Sequence, residues 1–176
     1  MTQEITLNEH TPLEVKKMLQ YLYMDDYALE DQEVAAYLQC LLSTEFPVNS
    51  RQSTDHREGL SNDEDQGCLA RFHAQMYSVG DYFQIPGLKA TAQRYFRAVF
   101  ASLQSRYAFY VTVEAVYSST PASDRGLRDM VVKMVTRCPE WVRGGDEPML
   151  YDGLLRDVPE FAIDLCLDSV EMLRMT

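Results

Sequence analysis

"LARFHAQMYSVGDYFQIPGLKATAQRYF", residues 69–96, writes a helical hairpin into the chain. Leu69, Phe72, Met76, Val79 and Phe83 step by three and four, the spacing of one face of an α-helix. Ile85-Pro86-Gly87 interrupts the pattern, which resumes with Leu88, Ala92, Tyr95, Phe96, Val99 and Leu103. Proline fixes φ and lacks an N–H, and glycine relaxes the backbone, so the tripeptide predicts a corner between two helices. A helix-turn-helix that reads DNA would use a similar joint. Its second helix, however, offers only Lys89, Arg94 and Arg97 as bases, so a packed corner joining two apolar faces is the better reading.

Upstream, Ile5 and Leu7 alternate with polar neighbours, which predicts a short strand over residues 3–7. Thr11, Pro12 and Glu14 then read as the N-cap, first turn and capping-box acid of a helix over residues 12–23. Val15, Met18, Leu19 and Leu22 form its apolar stripe. A second helix is expected from Asp31 to Leu42, on Val34, Leu38, Leu41 and Leu42. Residues 24–67 read as an acidic insert, and 43–67, rich in Ser, Asn, Asp and Gly, as a disordered loop. Downstream of the hairpin, Phe109, Val113, Val116 and Tyr117 predict a helix, with Ser123 or Asp124 capping the next. That one carries Leu127, Met130, Val131, Met134, Val135 and Cys138 and stops before Pro139. Two more helices are expected, from Pro148 to Arg156 and from Pro159 to Met172. The fold class is therefore mainly α, helical hairpins with at most one or two short N-terminal strands.

The chain has 176 residues, 46% of them hydrophobic, enough for a sizeable core. Eleven acids against Arg51 and Arg57 between residues 25 and 65 give that stretch −9 of the net −11. Such acidity disfavours nucleic acid and anionic membrane, both of which reward Lys and Arg. No apolar run approaches the ~18 residues of a membrane helix, and the N-terminus lacks the basic start and apolar core of a signal peptide. The four cysteines, Cys40, Cys68, Cys138 and Cys166, are widely spaced, and free thiols in an intracellular, cytoplasmic or nuclear, setting are expected. Cys138 and Cys166 fall in apolar patterns.

No catalytic, cofactor or metal site is expected. Cys68 and His73 are five apart, not the three or four that aims two ligands at one ion, so His73 reads as a partly exposed helix residue. The acidic runs lack the alternating oxygens and central glycine of a calcium loop. No Ser-His-Asp arrangement emerges from spacing. Asp124–Arg125 and Arg128–Asp129 read as local pairs on a helix surface.

In order, "EITL", "PLEVKKMLQYLYMDDY" with its Tyr21-Leu22-Tyr23, and "LARFHAQMYSVGDYFQIPGLKATA" resemble the C-terminal portion of a BTB/POZ domain. "TPASDRGLRDMVVKMV" and "VPEFAIDL" resemble the helical region that follows it in fungal BTB domain-containing proteins. The resemblance implies a partial BTB/POZ-like region over 1–103 and a C-terminal helical lobe over 104–176. It further implies that the hairpin and helices that usually build the sheet and dimer surface are lacking, leaving the strand at residues 3–7 without a partner. The function implied is non-enzymatic protein–protein interaction, with self-association as one outcome. The expected partner surface is Ile5, Leu7, Val15, Lys17, Leu19, Tyr21 and Leu22. An alternative is a substrate adaptor for a cullin-type ubiquitin ligase. In that role the family uses a hydrophobic-x-Glu motif where this chain has Val15-Lys16-Lys17, with the charge reversed.

Overall fold

The computed structural model describes residues 10–30, 32–37, 62–138 and 148–175. Among them the chain forms helices without a strand: α1 (Pro12–Met24), α2 (residues 32–37), α3 (Asn62–Tyr82), α4 (Pro86–Phe100), α5 (Arg106–Ser119), α6 (Arg125–Arg137), α7 (Asp152–Asp157) and α8 (Pro159–Met175). The expected strand over residues 3–7, most of the 43–67 loop, and the second half of the 31–42 helix lie outside the described residues.

The mainly helical reading holds. Some boundaries move, the last helix running to Met175 rather than Met172. Residues 62–67 are the first turns of α3 rather than loop. The helix expected from Pro148 starts at Asp152. Elsewhere the local signals act as written. Thr11 Oγ1 accepts from the Glu14 N–H at 3.3 Å while Glu14 Oε2 accepts from the Thr11 N–H at 3.0 Å, a complete capping box. Asp124 caps α6 by accepting from the Gly126 N–H at 3.1 Å.

α3 is the axis of the molecule, packed against α4 on one side and α5 on another. Its Phe72, Met76 and Val79 are fully inside, as its stripe predicts, but so are His73, Ala74 and Tyr77 on its other faces. A helix buried on several sides needs places where a neighbour's backbone can come close. Two glycines supply them. A Cβ on Gly80 would lie 2.7 Å from the Lys89 nitrogen of α4, and one on Gly67 2.7 Å from Ala108 Cα of α5. Neither neighbour is a side chain that could swing away.

The corner at Ile85-Pro86 closes on the same glycine. The Ile85 N–H donates to the Gly80 carbonyl at 2.8 Å and the Gln84 N–H to that of Asp81 at 3.1 Å, the paired bonds of a Schellman cap. Gln84 occupies the left-handed position at φ 55°, where glycine is usual. Aromatic rings then carry the core along the chain: Phe96 stacks on Phe100 at 5.3 Å, Phe100 meets Phe109 at 5.7 Å, and Phe109 meets Phe161 of α8 at 6.5 Å. The ring chain joins helices from both sides of residue 103.

Arg128 fixes the last helices. It is buried, not paired with Asp129 on a surface; its guanidinium donates to the Tyr117 carbonyl at 3.2 Å, to Thr120 Oγ1 at 3.1 Å, to the Thr120 carbonyl and to Glu160 of α8. Those carbonyls are the open C-terminal end of α5, so one side chain caps α5 and clasps α8. Asp124 likewise turns away from Arg125, toward Tyr77 (2.7 Å) and Lys89 (2.6 Å). Arg125 instead pairs with Asp129 and Asp164.

Two substitutions test the corner in opposite directions. Gly80→Ala is expected to cost about 1–3 kcal/mol, because the added methyl must push backbone. Gln84→Gly is expected to gain up to about 1 kcal/mol by removing the left-handed strain. Urea unfolding of both variants reads the signs; a neutral Gly80→Ala would mean that the helices are not in backbone contact there.

Candidate functional site

α1 is folded against its own pattern. Its buried side carries Glu14, Lys17, Met18 and Tyr21. Its outward side carries Leu19, Leu22 (56% exposed) and Tyr23 (89% exposed), with Val15 half-buried beneath them and Met24 exposed at the helix end. Val15, Leu19, Leu22 and Tyr23 have the i, i+4, i+7, i+8 spacing that elsewhere in this chain marks core. Here Leu19, Leu22 and Tyr23 form a ridge on the surface, while Val15 packs partly against the core and Met18 of the expected stripe is buried.

The segment after α1 explains the inversion. Lys17 is covered by Ala28 and Glu33: its ammonium donates to the Ala28 carbonyl, to Gln20 Oε1 at 3.0 Å, and pairs with Glu33 Oε2 at 2.6 Å. The other Glu33 oxygen meets Lys16 at 2.6 Å, and Glu33 Oε2 also accepts from the Glu30 N–H at 3.0 Å, capping α2. Burial by itself would raise the Glu33 carboxyl, but the Glu30 N–H and the two ammonium groups outweigh it and hold it at about 2. Tyr21 lies over Gly87, which has no Cβ to obstruct the ring.

Of the seven expected partner residues, then, Leu19 and Leu22 are exposed and Val15 is half-buried. Lys17 and Tyr21 are corrected to the interior, because Glu33 and the Ala28 carbonyl take the ammonium and Gly87 takes the ring. Ile5 and Leu7 lie outside the described residues. Tyr23 and Met24 were not among the seven. Tyr23 continues the apolar spacing of Val15, Leu19 and Leu22, a signal already present in the sequence.

The remaining titratable clusters are engaged in holding the fold. His73 is buried rather than partly exposed; its Nδ1 is 2.9 Å from Tyr27 Oη, and burial lowers its pKa to about 4. Asp26 accepts from Tyr95 Oη at 2.6 Å and from the Tyr27 N–H at 2.9 Å, which pins the segment to α4. Lys89, one of three bases after the corner, is taken by Asp81 and Asp124, both at 2.6 Å, and lies 4.7 Å above the Tyr77 ring. Burial and then the Asp124 carboxylate push the Tyr77 hydroxyl up to about 12. Cys138 and Cys166 are exposed, not packed as their patterns imply: Cys138 is the C-cap beyond the last turn of α6, and Cys166 lies on an exposed side of α8. Among the described residues no group of three or more His, Cys, Asp or Glu side chains could hold a metal ion, and no helix is long and apolar enough to cross a membrane.

No family model, curated protein or solved structure matches the chain. The candidate site accordingly rests on geometry: an apolar ridge along α1, held outward by buried charges on the helix's opposite side.

Glu33 tests that arrangement. Glu33→Gln strands the buried Lys17 ammonium, an expected loss of about 3 kcal/mol at neutral pH. With its folded pKa depressed, the Glu33 contribution is fully present above about 4.5 and fades as pH falls toward about 2. Denaturant midpoints of wild type and variant should therefore converge over that window. A constant gap from pH 7 to pH 2 would contradict the pairing.

Proposed function

We propose that this chain is a non-enzymatic protein-interaction module of the BTB/POZ type, and that its contact face is the outer ridge of α1. The observation that carries this reading is the inverted helix: α1 buries Lys17 and Glu14 while Leu19, Leu22 and Tyr23 face water. Burying charge is costly unless it is paired, and a helix ordinarily turns its apolar stripe inward. Here Leu19, Leu22 and Tyr23 are withheld from the core, Met18 alone of the stripe is buried, and the charges of Glu14 and Lys17 are accommodated instead. Contiguous apolar surface on a folded chain is characteristic of protein contact sites. Tyrosine and leucine together suit such a face, since a tyrosine ring buries large area and keeps a polar tip.

Against the cullin-adaptor alternative stands Lys17. It occupies the position where that motif carries Glu, and it is both opposite in charge and turned inward under Glu33. The partner favoured here is a protein with a complementary apolar groove or helix face, and it need not read a charge at that position.

The test is a photo-crosslinking residue placed at Leu22 in the living host, with the same residue at Arg97 on the exposed side of α4 as comparison. A discrete protein adduct from Leu22, absent from Arg97 and abolished by adding Leu19→Asp, is the expected result. No adduct from Leu22, or the same adducts from both positions, would overturn the proposal.

A further inference from the structure

α8 has a second apolar face that is left exposed among the described residues. Its inner side is fully occupied: Phe161 and Leu165 are buried, Asp164 accepts from Tyr117 Oη at 2.8 Å and pairs with Arg125, and Asp168 accepts from Thr136 Oγ1 at 2.9 Å. On the opposite side Ile163 and Leu167 are 58% and 64% exposed, and Val170 is exposed beside them. Extended by one residue at each end, that side runs Glu160, Ile163, Leu167, Val170, Arg174. The steps are three, four, three and four, the strict seam by which one helix packs along another.

The seam also names its occupant. Leu167 is its middle, with Glu160 seven residues before and Arg174 seven after, about 10 Å to either side along the axis. A second copy laid antiparallel across Leu167 brings Leu167 onto Leu167, Ile163 beside Val170 in two equivalent layers, and Arg174 opposite Glu160 at both ends. In a parallel pair, acid would meet acid and base would meet base. Glu160 spends one carboxylate oxygen on Arg128, and its side chain remains more than half exposed. Arg174 is exposed. We propose that the outer face of α8 is a self-complementary seam through which two copies of this chain pair antiparallel, with Leu167 on the two-fold axis and Glu160–Arg174 pairs closing both ends. The inference stands on α8 alone and does not depend on what α1 contacts. One helix face is small for an interface, so the pairing is weak and reversible.

Sedimentation equilibrium of the full chain over a wide concentration range tests it, at physiological salt where repulsion between two chains of net charge −11 is screened. Wild type should show a monomer–dimer equilibrium. Leu167→Asp should raise its Kd at least about tenfold, the size expected when a charge enters a small apolar seam. Arg174→Glu should raise it severalfold by setting acid against acid, and Arg97→Asp on the exposed side of α4 should leave it unchanged. The altered side chains are exposed, so thermal midpoints of all variants should stay near that of wild type. A wild type that remains monomeric into the millimolar range would overturn the proposal. So would a dimer indifferent to Leu167→Asp, or one tightened by Arg174→Glu.

Discussion

Everything in this fold depends on how closely two backbones approach α3. At Gly80 and at Gly67 a neighbouring helix sits where a side chain would otherwise be, 2.7 Å from the position of the missing Cβ. These two contacts let α3 be surrounded. Dispersion and apolar burial then act on nearly all of its faces, at about 1.5–3 kcal/mol for each large side chain removed from water. The corner between α3 and α4 belongs to the same device, since the carbonyl that ends α3 is that of Gly80. A residue in the left-handed region, Gln84, is tolerated there because two backbone bonds hold the turn.

Around this apolar axis the remaining helices are located by buried polar groups whose partners come from far along the chain. Arg128 satisfies the open carbonyls of α5 and reaches Glu160 on α8. Lys17 is satisfied by Ala28 and Glu33, and Tyr27 meets His73. Such pairs contribute little net stability, since desolvation offsets most of their attraction, but a misplaced partner leaves an unpaired charge inside. They therefore specify position. The orientation of α1 follows from this: once Lys17 has its partners on the inner side, Leu19 and Leu22, close to half a turn away, face water.

What the sequence made legible were the features with local causes. The α3–α4 corner announces itself through Pro86 and Gly87 between two helical periods, and the start of α1 through Thr11, Pro12 and Glu14. The helix over Arg106–Ser119 is readable despite its β-branched residues, because Phe109, Val113 and Val116 keep a helical step. The face of α1 was not legible. Apolar period assigns Leu19 and Leu22 to the core, and the contacts of Lys17 with the Ala28 carbonyl and with Glu33, sixteen residues beyond it, reverse that assignment. The burial of His73 has the same origin, for Tyr27 lies 46 residues away. Of the candidate site, then, Leu19 and Leu22 could be named in advance, whereas Lys17 and Tyr21, off that apolar stripe, turn inward onto partners distant in sequence.

The central claim is that α1 turns its charged side inward and its apolar ridge out. Two adjacent lysines report it directly, because the Lys16 side chain is 66% exposed and that of Lys17 only 3%. Brief labelling of the native protein with an amine-reactive reagent, read residue by residue by mass spectrometry, compares them within one molecule. Rapid modification of Lys16 with Lys17 protected until the protein is unfolded is the predicted result. Equal modification of both lysines in the native state would contradict the account.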